Sequence, residues 1–154
     1  MRNKIKIGMV QVNNSFSGQN YLPLSLGFLA SHAKEYAKNF NDFEFLNPIY
    51  KRVPVEEAVE RYREANIVAF SVYVWNNNIS MRIAEALKKV NPNILILVGG
   101  CHIPERPEYI EKYMNDNPYV DIASIGEGER VFSMFLENYP ERTWNNVPSL
   151  IYRD

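Results

Sequence analysis

Cysteine and histidine are scarce: the 154-residue chain has one Cys, Cys101, and two His, His32 and His102. One thiol cannot close an intrachain disulfide, and a reducing compartment fits that composition. One Cys and two His far apart in sequence make no zinc-binding pattern. Cys101 reads as a packing residue, and His32, inside a helical stretch, as a surface or packing residue. No apolar run is long enough to span a bilayer and no signal-peptide pattern opens the chain, so no membrane partner is expected and a cytoplasmic location is. The formal net charge is −1, which gives no drive for general nucleic-acid binding. The first strand is followed by neither a P-loop nor G-x-G-x-x-G, and it lacks the Asp pair of a phosphorylated receiver domain. There is no nucleophile elbow and no evident Ser-His-Asp set. What remains is a ligand-binding protein without a complete catalytic constellation of its own.

Present instead is a repeated β-α pattern with enough apolar residues, 46%, for one domain with its own core. Residues 5–10 (IKIGMV) read as a first strand. Residues 11–22 (QVNNSFSGQNYL) follow as a long polar loop without periodicity, a kind of connection that often carries function. Pro23 suits the first turn of a helix whose apolar stripe is Leu22, Leu26, Leu29, Ala33, Tyr36 and Ala37. Alternation over residues 42–46, Phe43 and Phe45 against Glu44, predicts an edge strand. Pro54 opens a second helix with Val55, Ala58, Val59, Tyr62 and Ala65 inward. The unbroken apolar run 67–70 predicts a strand buried on both faces. A third helix from about residue 79 to 90 turns Ile79, Ile83, Ala84, Leu87 and Val90 inward. Residues 94–98 (ILILV) are a second buried strand. Pro107 starts a helix with Tyr109, Ile110, Tyr113 and Met114 inward. Residues 120–125 alternate partly and are expected at the other sheet edge. The last helix carries Val131, Phe132, Phe135, Leu136 and Tyr139, and residues 147–152 allow one more short strand. Five successive β-α units imply a parallel sheet with right-handed crossovers. The burial ranking predicts an α/β, Rossmann-like or flavodoxin-like, doubly wound five-stranded sheet of order 2-1-3-4-5, with its switch point between the first and third strands.

Every unusual loop falls at the carboxyl ends of those strands, where ligands bind in open α/β sheets. The first loop brings Asn13, Asn14 and Ser15. The third strand ends in Ser71, Tyr73, Trp75 and Asn76, a polar-aromatic segment suited to a flat ligand with a polar rim; equally, Tyr73 and Trp75 could only roof the core. Gly99-Gly100 removes two side chains at the end of the fourth strand, so that a flat group could lie on bare backbone, or the pair simply makes a tight turn. Gly126-Glu127-Gly128-Glu129 carries the same two readings. Its amides near a helix N-terminus suit a phosphate or ribose, while its two carboxylates argue against a dedicated phosphate cradle. His102, just past the double glycine, is a further site candidate.

Taken in order, Tyr21-Leu22-Pro23-Leu24-Ser25-Leu26-Gly27, Ser71-Val72-Tyr73-Val74-Trp75-Asn76, Val98-Gly99-Gly100-Cys101-His102-Ile103-Pro104, residues 121–129 (DIASIGEGE) and Pro148-Ser149-Leu150-Ile151-Tyr152-Arg153 resemble a known pattern. It is that of the cobalamin-binding domain preceding the radical S-adenosylmethionine domain of cobalamin-dependent radical enzymes. The resemblance implies cobalamin at the carboxyl edge of the sheet. The nucleotide tail would run in beside Ser71, Gly99 and Gly100, near His102. The corrin would lie over the loops of Asn13, Asn14 and Ser15 and of Tyr73, Trp75 and Asn76. The wider cobalamin-binding fold often places D-x-H-x-x-G after the first strand; residues 11–18 hold no His, which implies base-off cobalamin with Trp75 or a loop Asn against its lower face. The C-x-x-x-C-x-x-C motif of the iron–sulfur cluster is missing, and a single Cys cannot build that cluster. The resemblance therefore implies that residues 1–154 are one binding domain, with residues 147–154 leading toward a radical S-adenosylmethionine domain in cis that would own the cluster and conduct methyl transfer or related chemistry. The alternatives are a member that keeps the fold without cobalamin, as a scaffold or substrate-recognition module, or a flavin- or nucleotide-binding flavodoxin-like protein.

Overall fold

The computed structural model describes residues 3–153. Along the chain run β1 (Ile5–Val10), β2 (Ser15–Phe16), β3 (Gln19–Asn20), α1 (Leu24–Tyr36), β4 (Phe43–Phe45), α2 (Val55–Tyr62), β5 (Ile67–Ser71), α3 (Asn77–Val90), β6 (Leu95–Gly99), α4 (Pro107–Asp116), β7 (Ile122–Ser124), α5 (Gly128–Asn138) and β8 (Leu150–Tyr152). The terminal residues Met1, Arg2 and Asp154, which the N-terminal and exit-segment readings included, lie outside the described residues.

Strands that are apolar at every position have no face to give to water, so they take the middle of the sheet. β5 is buried at all its positions, and β1, β5 and β6 are central in a six-stranded sheet ordered β4-β1-β5-β6-β7-β8. The first five of these strands are parallel and give the expected 2-1-3-4-5 order. The edge differs from expectation. β7 is an inner strand, because β8 pairs antiparallel with it. Ser149, just before β8, has φ 62, and its carbonyl accepts the Ile125 amide.

Alternating strand residues feed two cores, one on each face of the sheet. Val68, Phe70, Val72, Ile96 and Val98 pack with α2, α3 and α4. Ile67, Ala69, Leu95, Leu97 and Ile122 pack with α1 and α5. The helical stripes are narrower than the apolar letters suggest. Tyr36, Val90 and Tyr109, expected inward, are exposed. Tyr36 instead lies on the surface against the His32 ring, with centroids 4.4 Å apart. Val90 is the last residue of α3, and Tyr109 sits in the first turn of α4, where its neighbour Ile110 takes the buried position. Cys101 is also exposed, in the turn after β6, and packs no core.

The long first loop is not structureless. β2 and β3 form a small antiparallel hairpin. Its turn residues, Ser17 and Gly18, have φ 50 and 76, the left-handed pair of a two-residue hairpin turn. Arms this short leave no periodicity to read.

Candidate functional site

On the face toward α1 and α5, three strands end in small residues side by side. β5 ends in Ser71, which pairs with Gly99 at the end of β6. A Cβ at Gly99 would meet the Ser124 Cβ at 3.6 Å, which places the end of β7 next in the row. One step earlier the same faces carry Ala69, Leu97 and Ile122, which fill the core. The switch to Ser, Gly and Ser leaves a cavity of about 120 Å³ between sheet and helices. Leu26, Leu29, Phe132 and Phe135 wall it from the helices, and Leu150 closes the β8 side. Ser124 borders this cavity, is 8% exposed, and its hydroxyl has no hydrogen-bond partner. A buried hydroxyl without a partner is costly, and such groups are few in folded proteins.

A second, broader hollow of about 560 Å³ opens beside it, lined by Gln11, Asn13, Asn14, Tyr21, Leu22, Leu24, Phe28 and Trp75. Ser25 and Tyr73 line both hollows and so mark their junction. Ser25 Oγ is a hydrogen-bond hub: it donates to Gln11 Oε1 at 2.6 Å and lies 3.1 Å from Ser71 Oγ and 3.2 Å from the Tyr73 hydroxyl. Gln11 Nε2 passes the network to Asn13 Oδ1 at 3.3 Å. Asn13 Nδ2 donates to the Tyr21 carbonyl at 3.2 Å. The backbone here is fixed from the other side, since the Gln11 and Asn13 amides donate to the Ile49 and Tyr50 carbonyls at 2.9 Å each. Tyr73 and Trp75 stack almost parallel, centroids 4.6 Å apart at 7°, and form a flat aromatic wall with the indole half exposed. Leu22, Leu24 and Phe28 leave their side chains in solvent at this hollow, because α1 turns only Leu26 and Ala33 into the core.

The structure distributes the residues singled out in the sequence as follows. Ser71, Tyr73, Gly99, Gly100, Gly126 and Gly128 border the inner cavity. Asn13, Asn14, Tyr73 and Trp75 border the outer hollow. Ser15 stands in the exposed hairpin and lines neither hollow. Asn76 is 1% exposed and lines neither. Its Oδ1 accepts the Tyr73 amide at 2.8 Å and its Nδ2 donates to the Ser71 carbonyl at 3.0 Å, so its amide is spent on closing the turn after β5. His102 lines neither hollow; its backbone amide donates to the Val72 carbonyl at 3.2 Å. Glu127 is the exposed N-cap of α5 and makes no side-chain cap bond. Gly100 has φ +107, and a Cβ there would stand 2.6 Å from the Val72 carbonyl oxygen, so its lack of a side chain serves the backbone turn.

Ser25, Ser124 and Gln11 were not singled out, although the first two lie inside the quoted motifs. The available signal was register: Ile122 and Ser124 share a face, and Ser124 comes level with Gly99. Ser25 follows Pro23 in the first turn of α1, whose N-terminus points at the strand ends.

The model of the B12 binding domain family matches residues 17–136. Over 117 residues the chain is 36% identical to the cobalamin-dependent radical SAM methyltransferase TokK of Streptomyces tokunonensis, covering 75% of this chain and 17% of that protein. Over 137 residues it is 32% identical to the 2-(S-pantetheinyl)-carbapenam-3-carboxylate methyltransferase of Streptantibioticus cattleyicolor, covering 86% of this chain and 19% of that one. The chain thus spans less than a fifth of the length of these relatives. Among solved structures, the cobalamin-dependent S-adenosylmethionine radical enzyme OxsB, with aqua-cobalamin and S-adenosylmethionine bound, superposes with a TM-score of 0.72 at 17% identity over 98% of this chain and 21% of that one, a likeness of fold.

Proposed function

This chain belongs to the B12-binding domain family, whose cofactor is cobalamin, and from that premise we propose how it holds the cofactor and what it serves. Ser71, Gly99 and Ser124 would hold the nucleotide tail at the inner cavity. Asn13, Asn14 and the Tyr73–Trp75 wall would hold the corrin at the outer hollow. The observation that carries this reading is the pair of hollows that adjoin at Ser25 and Tyr73, one narrow and mostly apolar with Glu129 in its lining, one broad and rimmed by amides and aromatics. Two details fit the cofactor's chemistry. The side chain absent at Gly99 keeps the inner cavity open at the sheet, and the unpartnered Ser124 hydroxyl awaits an acceptor there.

The chain's own residues bind and orient. Ser25 couples Gln11, Ser71 and Tyr73, so that both hollows keep a fixed relation. Gln11, Asn13 and Asn14 offer amides but no imidazole, and Trp75 offers an N–H that only donates and cannot ligate cobalt. The first loop would thus offer the cofactor no histidine, and the family resemblance implies that these residues would hold it base-off. When bound, cobalamin supplies a cobalt able to carry a methyl group between a donor and an acceptor. The domain serves a radical S-adenosylmethionine domain in cis, in methyl transfer or related chemistry.

The test is retention. The protein is mixed with hydroxocobalamin and desalted, and its visible spectrum is recorded; stoichiometric corrinoid absorbance is expected. Reduced to the cob(II)alamin state, the complex is expected to show no nitrogen superhyperfine splitting in electron paramagnetic resonance. A splitting lost in His102→Ala would make His102 the ligand, and one that survives would show the cofactor's own base bound. A corrinoid-free eluate would leave the scaffold reading standing.

A further inference from the structure

We propose that the Tyr73 side chain is a gate between the two hollows, latched shut by Ser25, and that it must swing aside before a nucleotide tail can enter; this rests on the inner cavity taking the tail. The cavity as it stands is too small. It measures about 120 Å³, whereas roughly 150 Å³ is the size of a cavity that takes one benzene ring. A benzimidazole fuses a second ring to the first and carries a ribose, so one wall has to move. Most of the walls are fixed. Ser71 and Gly99 end inner strands of the sheet and pair with each other. Leu26, Phe132 and Phe135 are buried in the core, and Phe135 stacks on Trp144 with centroids 5.1 Å apart. Leu29 and Glu129 are only partly buried, but neither borders the outer hollow, from which the tail would arrive.

Among the described residues, only Ser25 and Tyr73 border both hollows. Ser25 is a short side chain in the first turn of α1, which leaves the Tyr73 ring as the movable partition. The backbone beneath that ring is pinned. The Tyr73 amide donates to Asn76 Oδ1 at 2.8 Å, and its carbonyl accepts the Asn76 and Asn77 amides at 3.1 and 2.9 Å. The motion is therefore a change of side-chain rotamer, with the loop left in place. One hydrogen bond opposes it. Ser25 spends its proton on Gln11 Oε1, so the Tyr73 hydroxyl, 3.2 Å from Ser25 Oγ, is the donor of the latch. Trp75, stacked on the ring and half exposed, can move with it. Rotamer changes are fast against binding, so the latch scales the association rate by the fraction of molecules standing open.

The experiment follows association by stopped-flow tryptophan fluorescence quenching. Cobalamin and cobinamide, a corrinoid without the nucleotide tail, are each mixed with the parent chain and with Tyr73→Phe, which keeps the ring and deletes the latch. The ratio of cobalamin to cobinamide association rates is expected to rise about three- to tenfold in the variant, the weight of one net hydrogen bond. Ser25→Ala removes the other end of the latch and is expected to raise the same ratio. The double variant is expected to rise no further than the single ones, because the same bond is lost in all three. A ratio that stays level or falls in Tyr73→Phe overturns the gate. So does a change confined to cobalamin dissociation, which would make the hydroxyl a contact to the bound cofactor. In both cases cobalamin still binds, and the reading of the cavity stands. A parent that binds neither corrinoid, or binds cobinamide as tightly as cobalamin, overturns that reading, and the gate with it.

Discussion

A Cβ at Gly100 would stand 2.6 Å from the Val72 carbonyl oxygen and 2.8 Å from its nitrogen, whereas one at Gly99 meets only Ser124, at 3.6 Å or beyond. The first contact is with backbone and cannot swing aside; the second is ordinary van der Waals distance. Gly100 also sits at φ +107, where side chains other than hydrogen are strained. The two glycines therefore separate in experiment. Gly100→Ala is expected to lower stability by about 2 kcal/mol or more in urea unfolding. Gly99→Leu is expected to unfold near the parent's midpoint but, on the proposed function, to retain no cobalamin after desalting, because its side chain would occupy the inner cavity. Stable Gly100→Ala, or Gly99→Leu that still retains corrinoid, would reverse the assignment. The sequence shows a double glycine at the right end of the right strand, and no more. Telling a turn glycine from a cavity glycine needs φ and the cross-strand neighbour, and neither is written in the letters. Ser124 was hidden for the same reason, since a serine at a strand end reads as polar termination until register sets it beside Gly99.

At the scale of elements, α2 docks on β1 through one close fit. Gly8 leaves room for the Tyr62 ring, whose carbons lie 2.7–2.9 Å from where a Cβ would be. The Tyr62 hydroxyl donates to the Asn47 carbonyl at 2.7 Å. Burial pushes the Tyr62 hydroxyl up to about 12, and burial likewise raises Tyr113, which lies in α4. A phenol whose folded pKa is raised adds stability that is fully present below the unfolded value near 10. That stability is lost as pH climbs toward the folded value, because only the unfolded chain sheds its protons there. Each such tyrosine steepens the loss by at most about 1.4 kcal/mol per pH unit. Urea unfolding at pH 8, 10 and 11 is expected to show a plateau followed by a fall. Tyr62→Phe is expected to cost about 1 kcal/mol at pH 8, through the unpaired carbonyl, and to fall less steeply above pH 10. Parallel curves for parent and variant would refute the role of Tyr62. The main elements were legible because long apolar or periodic runs carry their own signal: residues 67–70 and 94–98 could only be central strands. β8 and the β2–β3 hairpin were poorly legible, because runs of two or three residues contain no period and depend on turns at Ser149, Ser17 and Gly18.

At the scale of the whole molecule, the candidate site is not the property of one loop. The inner cavity takes residues from α1, β5, β6, β7, α5 and β8, and the outer hollow adds the loop after β1. A ligand that touches all of these binds only the folded chain, so its binding energy adds to global stability by mass action. At free cobalamin about a hundredfold above the dissociation constant, the gain is about 2.7 kcal/mol. For a domain of this size that corresponds to a rise in Tm of roughly 5–10 °C. Differential scanning calorimetry of the parent with increasing hydroxocobalamin is expected to show Tm climbing with ligand concentration as one cooperative transition, since the same strands that carry the site also carry both cores. Gly99→Leu supplies the control, because it blocks the cavity without removing any stabilising contact, and its Tm is expected to stay flat over the same range. A parent whose Tm ignores cobalamin would place the chain with family members that keep the fold as a scaffold. A Tm that rises equally in parent and Gly99→Leu would locate the bound corrinoid away from the row of Ser71, Gly99 and Ser124.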